Sequence, residues 1–277
     1  MTNRKNWLPA VSTCWDTLGK DMYLALAEED IRHVELSGGD LDFWKELDFI
    51  HTAPQVVADM RACGVEPSSV HLPFSPFETM DPASPDSAVR GKIAAVQGEL
   101  LRAAAGVGIP IAVIHPSGEP YRAFERGERM RCCIDTLSQI ASIAEDCGVR
   151  LAVENLPRTC LGNIHEEIRL IVREIPSLYV CFDTNHSLRQ SNVDFVRALG
   201  DRIITIHASD YDMIDERHLL PFLGRNDWNG ILSAMEEADY TGYFTFEVSN
   251  KGVLTARNLR LAYDKLMRLN EEGNDCD

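Results

Sequence analysis

The chain has 277 residues, 45% hydrophobic and 25% charged, which is the make-up of a globular protein and excludes a disordered chain, a collagen and a small disulfide scaffold. Twenty-seven Lys and Arg face 43 Asp and Glu, a formal net charge of −16. Such a surface repels phosphate backbones and anionic lipid, so neither nucleic acid nor membrane is an expected partner.

Short apolar runs alternate with longer amphipathic segments along the whole chain. The strand candidates are residues 8–14, 33–37, 69–74, 110–116, 150–156, 178–183, 203–208 and 243–248. The later ones have nearly continuous apolar interiors (Ile-Ala-Val-Ile, Leu-Ala-Val, Tyr-Val-Cys-Phe, Ile-Ile-Thr-Ile), as expected of parallel strands covered on both faces. Between them, residues 91–106 place Ile93, Val96, Leu100, Leu101 and Ala104 at helical spacing, and 124–147 and 163–174 behave likewise. Most helical segments run into Gly or Pro before the next strand, as at Gly64, Gly108, Gly148, Pro176, Gly200 and Gly242. Eight strand-then-helix repeats predict an α/β protein of one domain over residues 1–277, a (β/α)₈ TIM barrel, because parallel neighbours need right-handed crossovers. A doubly wound open sheet is the alternative, weakened by the lack of a GxGxxG after the first strand. A Pro-rich loop over 74–87 and a polar loop over 210–226 follow the third and seventh strands, and residues 270–277 read as a frayed acidic tail.

The eight cysteines (Cys14, Cys63, Cys132, Cys133, Cys147, Cys160, Cys181 and Cys276) form no CxxC pair and read as buried or incidental thiols. No signal-peptide h-region and no run of 18 apolar residues is visible, so the expected setting is the cytoplasm.

Active sites of such barrels sit at the C-terminal ends of the strands. Six consecutive strands end in an ionisable residue: His71, His115, Glu154, Asp183 with His186 close behind, His207 and Glu247. Several carboxylates converging on one rim are costly without a compensating cation. Glu154, Asp183, His207 and Glu247 offer three hard oxygens and one imidazole. That set suits one divalent ion, Mn²⁺ foremost, with Mg²⁺, Co²⁺ or Zn²⁺ as alternatives. Taken singly, a strand-end His is more often structural and a strand-end carboxylate is often a helix cap; the convergence of six is what favours a metal. His33, His51 and His165 read as structural, and Glu35 is ambiguous.

Residues 71–247 carry a resemblance to a known family. The segments Val-His71-Leu-Pro, Ile-His115-Pro, Ala-Val-Glu154-Asn-Leu-Pro, Phe-Asp183-Thr-Asn-His186, Ile-His207-Ala-Ser-Asp, Asp215-Glu-Arg217-His218-Leu, Asp227-Trp228 and Phe-Glu247 resemble the xylose isomerase-like TIM-barrel superfamily. It includes sugar isomerases, sugar epimerases and endonuclease IV-type abasic-site nucleases. Similarity to its tagatose 3-epimerase-type branch implies a metal on Glu154, Asp183, His207 and Glu247, with Glu154 and Glu247 as the proton-transfer pair and His186 and Arg217 on substrate oxygens. In the nuclease branch, His71, His115, His186, Glu216 and His218 would complete a three-metal cluster, although Glu216 stands where that branch usually has Asp. The stretch Pro221-Phe-Leu-Gly224 also departs from the Pro-Gly-Glu-Gly of many relatives.

The expected activity is isomerisation or epimerisation of a ketose, free or phosphorylated, through a metal-stabilised enediolate. A keto-polyol dehydratase of the inosose type shares the first proton abstraction and is the alternative. Abasic-site cleavage is disfavoured by the net charge. A homo-oligomer is implied by the family likeness alone. No GxSxG, GxxxxGK[ST] or HExxH motif supports other chemistry.

Overall fold

A computed structural model describes residues 3–13, 19–249 and 254–269. Eight parallel strands pair in chain order and close: β1 (Leu8–Ser12), β2 (His33–Ser37), β3 (Glu66–His71), β4 (Ile111–Ile114), β5 (Arg150–Glu154), β6 (Tyr179–Asp183), β7 (Ile203–Ala208) and β8 (Tyr243–Phe246), with β8 against β1. Outside them run α1 (Lys20–Glu28), α2 (Leu41–Leu47), α3 (Phe49–Ala62), α4 (Phe77–Met80), α5 (Ser87–Gly106), α6 (Arg126–Cys147), α7 (His165–Glu174), α8 (Asn192–Leu199), α9 (Trp228–Glu237) and α10 (Ala256–Arg268). This is the (β/α)₈ barrel read from the sequence. The second and third repeats each carry two helices rather than one. No helix of the described residues is long and apolar enough to cross a membrane.

Local chemistry explains the boundaries. Asp86 caps α5 by accepting the Ala88 N–H at 2.8 Å, Ser191 caps α8 through the Asp194 N–H, and Asp227 caps α9 through the Gly230 N–H. Helix α6 ends at Gly148, whose φ of 74° lies in the left-handed region. Helix α7 buries Ile168, Ile171 and Val172, the i, i+3, i+4 stripe that packs on the barrel wall. The third strand starts earlier than its apolar run, at Glu66, and stops at His71, before Pro73. A proline there has no N–H to offer a ladder. Cys14, the end of the first strand candidate, and the tail 270–277 lie outside the described residues.

Apolar packing is double-sided. One large cluster fills the space between helices and strands, including Phe182 stacked on Phe195 at 5.1 Å and Phe244 edge-to-face with Phe246 at 5.6 Å. A smaller one, Val113, Ala152 and Cys181, fills the barrel interior. Two register shifts matter for the site. Between Val34 and Glu35 the pairing with β3 skips a residue, so Glu35 faces Ser69; between Val180 and Cys181 a similar shift leads to Asp183 opposite His207. A shift of one residue exchanges the face that a side chain occupies, so these irregularities decide which polar groups enter the barrel.

Candidate metal centre

The ends of β5 to β8 bring four donors together. One ligand atom from each of Glu154, Asp183, His207 and Glu247 lies within 4.8 Å of the others. His207 Nδ1 sits 3.2 Å from Glu154 Oε1, 3.3 Å from Glu247 Oε2 and 3.9 Å from Asp183 Oδ2. Asp183 and His207 are completely buried, and Glu154 nearly so. Asp183 Oδ2 has no hydrogen-bond partner, although a buried carboxylate oxygen normally finds one. An orphaned oxygen among two further carboxylates and an imidazole fits a divalent cation and fits poorly with a purely structural polar cluster.

The electrostatics carry the same message. Burial, reinforced by the charges of Glu247 and Glu154, pushes the Asp183 carboxyl well above its usual range. Burial acts on Glu154 in the same direction, but the charge of His207 and hydrogen bonds from His115, His186 and His207 outweigh it and hold this carboxyl well below. Glu247 is also held low, burial being overcome by the charge and hydrogen bond of His207. Burial opposes charge on His207 and His186, yet the surrounding carboxylates raise both. Three carboxylates in one buried site thus depend on imidazolium protons for charge balance, a role a bound dication would take over.

A second layer surrounds this set. His71 Nε2 and His115 Nε2 approach Glu154 Oε2 at 3.0 and 3.2 Å. His115 stacks on Phe74 with ring centres 4.1 Å apart. Asn155 clamps β5 to β6, accepting the Asp183 N–H and donating to the Asp183 carbonyl at 2.8 and 2.9 Å. Beyond the rim, His186, Glu216 and His218 form a further group able to hold a cation. His186 Nε2 lies 3.2 Å from Glu216 Oε2, and Glu216 also meets Arg158 at 2.8 Å. Burial pushes Glu216 up, but the pairing with His186 and Arg158 prevails and brings it down to about 2. Asn185 positions this segment by accepting the Arg217 and His218 N–H groups.

These groups open into a cavity of about 170 Å³, lined among others by Phe74, Phe77, His115, Arg158, Glu216 and Glu247. That is room for one small polar molecule rather than a drug-sized ligand. His71, Asp183 and His207 lie beneath its lining. Arg217, implied by resemblance to bind substrate, does not line the cavity. Its guanidinium pairs with Asp212 at 2.7 Å at the surface, because Asp210 gathers the loop into a compact turn by accepting from Phe222, Asn226 and Trp228. The arginine that does reach the cavity is Arg158, which pairs with Glu119, Asp215 and Glu216.

The sequence reading passed over Arg158, Asn155 and Asn185 and left Glu35 open. The signals were present: Asn155 follows directly on Glu154 and Arg158 lies four residues after it, Asn185 lies two residues after Asp183, and Glu35 is an acid in the middle of an apolar strand. Glu35 is completely buried, accepts from Ser69 Oγ at 2.8 Å and lies 3.1 Å from His207 Nε2. The Cys181 thiol also contacts His207, and burial pushes it up, so it stays neutral.

The model of the xylose isomerase-like TIM barrel family matches residues 24–270. The chain belongs to that family. Among solved structures, a D-tagatose 3-epimerase-like protein matches this xylose isomerase-like barrel with a TM-score of 0.82 at 25% identity, over 95% of this chain and 98% of its own. Uncharacterized protein MJ1311 of Methanocaldococcus jannaschii is 30% identical over 190 residues, 65% of this chain and 64% of that protein. A probable endonuclease 4 of Methanoculleus marisnigri is 29% identical over 136 residues, 47% of this chain and 46% of that protein. The chain spans less than two thirds of the length of these two curated relatives.

Proposed function

We propose that this xylose isomerase-like barrel is a divalent-metal-dependent isomerase or epimerase of a small ketose or related keto-polyol. The observation that carries the reading is the convergence of Glu154, Asp183, His207 and Glu247 beneath a cavity sized for one small polar molecule. The Glu154, Asp183, His207 and Glu247 side chains would hold the ion, with manganese suiting the three hard oxygens best. A dication bound there supplies Lewis-acid stabilisation for negative charge building on substrate oxygens.

The chain's own residues do the rest. The two glutamates are not equivalent. Glu154 Oε2 is held by His71 and His115, whereas among the described residues Glu247 is approached only by His207 and, at 3.9 Å, by His218. Glu247 is therefore the freer proton acceptor for a carbon next to a carbonyl. Glu154, ionised in the resting site, takes a proton from His71 Nε2, 3.0 Å from its Oε2, and delivers it to the opposite face of that carbon or to its neighbour. The Phe74 and Phe77 rings form the apolar wall, and His115, His186 and Arg158 offer polar contacts to substrate hydroxyls. The D-tagatose 3-epimerase-like neighbour supports this reading.

The test is solvent deuterium exchange across a panel of ketoses, ketose phosphates and keto-inositols with added Mn²⁺. Exchange at a carbon adjacent to the carbonyl is expected for at least one of them. Glu247→Gln should lower its rate by about 10²- to 10⁴-fold. A wild-type rate in that variant removes Glu247 from the chemistry. A panel without exchange, tested with manganese bound, overturns the reading. Loss of water from a keto-inositol would instead place the enzyme among dehydratases.

The surrounding histidines favour a second reading, phosphoester hydrolysis. His186, Glu216 and His218 form a second cation-competent group, and His71 and His115 gather on Glu154. The match to a probable endonuclease 4 points the same way. The net charge of −16 opposes it for DNA. Metal stoichiometry and retention on a DNA column at low salt separate the two: one ion and no retention support the isomerase, three ions and retention the nuclease.

A further inference from the structure

The histidines around the site do not present the same nitrogen. His71 Nδ1 lies 3.0 Å from the Leu72 carbonyl, His186 Nδ1 2.9 Å from the Asn155 carbonyl, and His218 Nδ1 3.1 Å from the Glu247 carbonyl. A carbonyl oxygen only accepts, so each of these rings carries a hydrogen on Nδ1 and turns Nε2 away from that carbonyl. His207 is turned the other way. Its Nδ1 faces Glu154, Asp183 and Glu247, while its Nε2 reaches across the barrel interior from β7 to β2 and lies 3.1 and 3.2 Å from the two oxygens of Glu35.

We propose that Glu35 is a positioning residue of the metal centre, which takes the Nε2–H of His207 and so holds its Nδ1 lone pair toward the other three ligands. The inference rests on the metal reading above and extends it to a residue that touches neither metal nor substrate. A carboxylate behind a ligating imidazole fixes the ring's tautomer and orientation and makes the ring a stronger donor. A backbone carbonyl can do the first of these but lacks the full charge needed for the second. The neighbouring Cys181 thiol is neutral and does not supply that charge.

The fold has been shaped to bring Glu35 there. The skip in pairing between Val34 and Glu35 sets Glu35 opposite Ser69, where regular pairing would set it opposite Ser68. The Ser69 hydroxyl then donates to Glu35 Oε2 at 2.8 Å and steadies the carboxylate. Ser68, equally buried, has no hydrogen-bond partner for its hydroxyl. Apart from Ser69 and His207, no hydrogen-bond or ion-pair partner of the Glu35 carboxylate is found among the described residues. A buried acid with so few partners is costly to keep for stability alone, because well-packed apolar replacements serve stability as well or better.

The experiment uses the full chain, stripped with chelator, and three readouts. Manganese affinity is measured by calorimetry on wild type, Glu35→Gln, Glu35→Leu and Ser69→Ala. The hydrogen on His207 is located by long-range ¹⁵N correlation spectroscopy of the protein loaded with diamagnetic zinc, assigned with His207→Gln. Melting temperature with chelator present separates folding from binding. Glu35→Gln and Glu35→Leu should each bind manganese about ten- to hundredfold more weakly, Leu more than Gln, with melting temperatures too little changed to account for it. Ser69→Ala should fall between wild type and Glu35→Gln. Zinc-loaded wild type should carry the single His207 hydrogen on Nε2. Wild-type affinity in both Glu35 variants, or a hydrogen on Nδ1 in zinc-loaded wild type, overturns the role of Glu35 and leaves the metal reading intact. Absence of manganese binding in wild type overturns the metal reading itself. If the Glu35 variants do not fold, the wild-type tautomer and Ser69→Ala decide.

Discussion

Among the cation-competent groups at this end of the barrel, an inner and an outer one are built differently. The inner one, Glu154, Asp183, His207 and Glu247, sits on or directly after strands β5 to β8, mostly buried, with a backbone ladder beside Glu154 and Asp183 and on both sides of His207. The outer one, His186, Glu216 and His218, hangs from loops, is partly exposed, and is held by Arg158 and Asn185. A strand end leaves a side chain little freedom, so the inner donors are preorganised. A loop must be tied down by side chains, and each tie is open to mutation.

The sharpest way to break this contrast is Asp183→Asn. It removes an inner donor on a rigid strand and should weaken manganese binding at least about 100-fold by calorimetry. If affinity is retained, the outer group is the principal cation site and the roles are reversed.

Acidity sharpens the contrast next. Asp183 is raised above 3.8, so the cost of its buried charge is absent below that value and grows as the pH climbs through the folded value. His207 is raised above 6.5, so its ion pairing stabilises the metal-free protein fully below 6.5 and is lost as the pH passes its folded value. Both must shed a proton to hold a dication. Manganese affinity should therefore rise with pH, about tenfold per unit for each proton released. Glu216 behaves oppositely. Brought down to about 2, its pairing contributes fully above 4.5 and fades only as the pH falls toward 2. Titration calorimetry in buffers of different ionisation heat reads the proton count. An affinity independent of pH would show that the inner group is already deprotonated without metal.

Arg158→Met loosens only the outer group, since Arg158 ties Glu119, Asp215 and Glu216 together. It should raise KM about fivefold and leave manganese affinity near wild type. A loss of affinity instead would mean that the two groups act as one. The smallest effect is expected of Arg217→Ala, with turnover within about twofold of wild type, because its partner Asp212 is a surface residue on the same loop. A large fall in turnover would show that the loop rearranges to bring Arg217 to the substrate.

The same division explains what could be read from the sequence. The inner group was legible because a strand runs straight and its last residue must lie at the barrel mouth. His71, His115, Glu154, Asp183, His207 and Glu247 need only their positions along the chain to be placed. Arg217 could not be placed that way. Its neighbourhood in sequence is shared with Glu216 and His218, which do reach the cavity, but the turn around Asp210 and the N–H bonds to Asn185 send these side chains and that of Arg217 in different directions. Arg158 went unnoticed for the converse reason, a loop residue whose partners Glu119, Asp215 and Glu216 are far away in sequence.

Alternating apolar runs and helical stripes, set out eight times, determined the barrel and the side chains that gather at its mouth, because periodicity is a local property that each segment expresses alone. Which ring nitrogen His207 turns toward the carboxylates, which arginine enters the cavity, and that Glu35 on β2 meets a histidine from β7 were decided only by closure of the sheet. Those contacts depend on register and on distances across the barrel, and neither is written in any one stretch of chain.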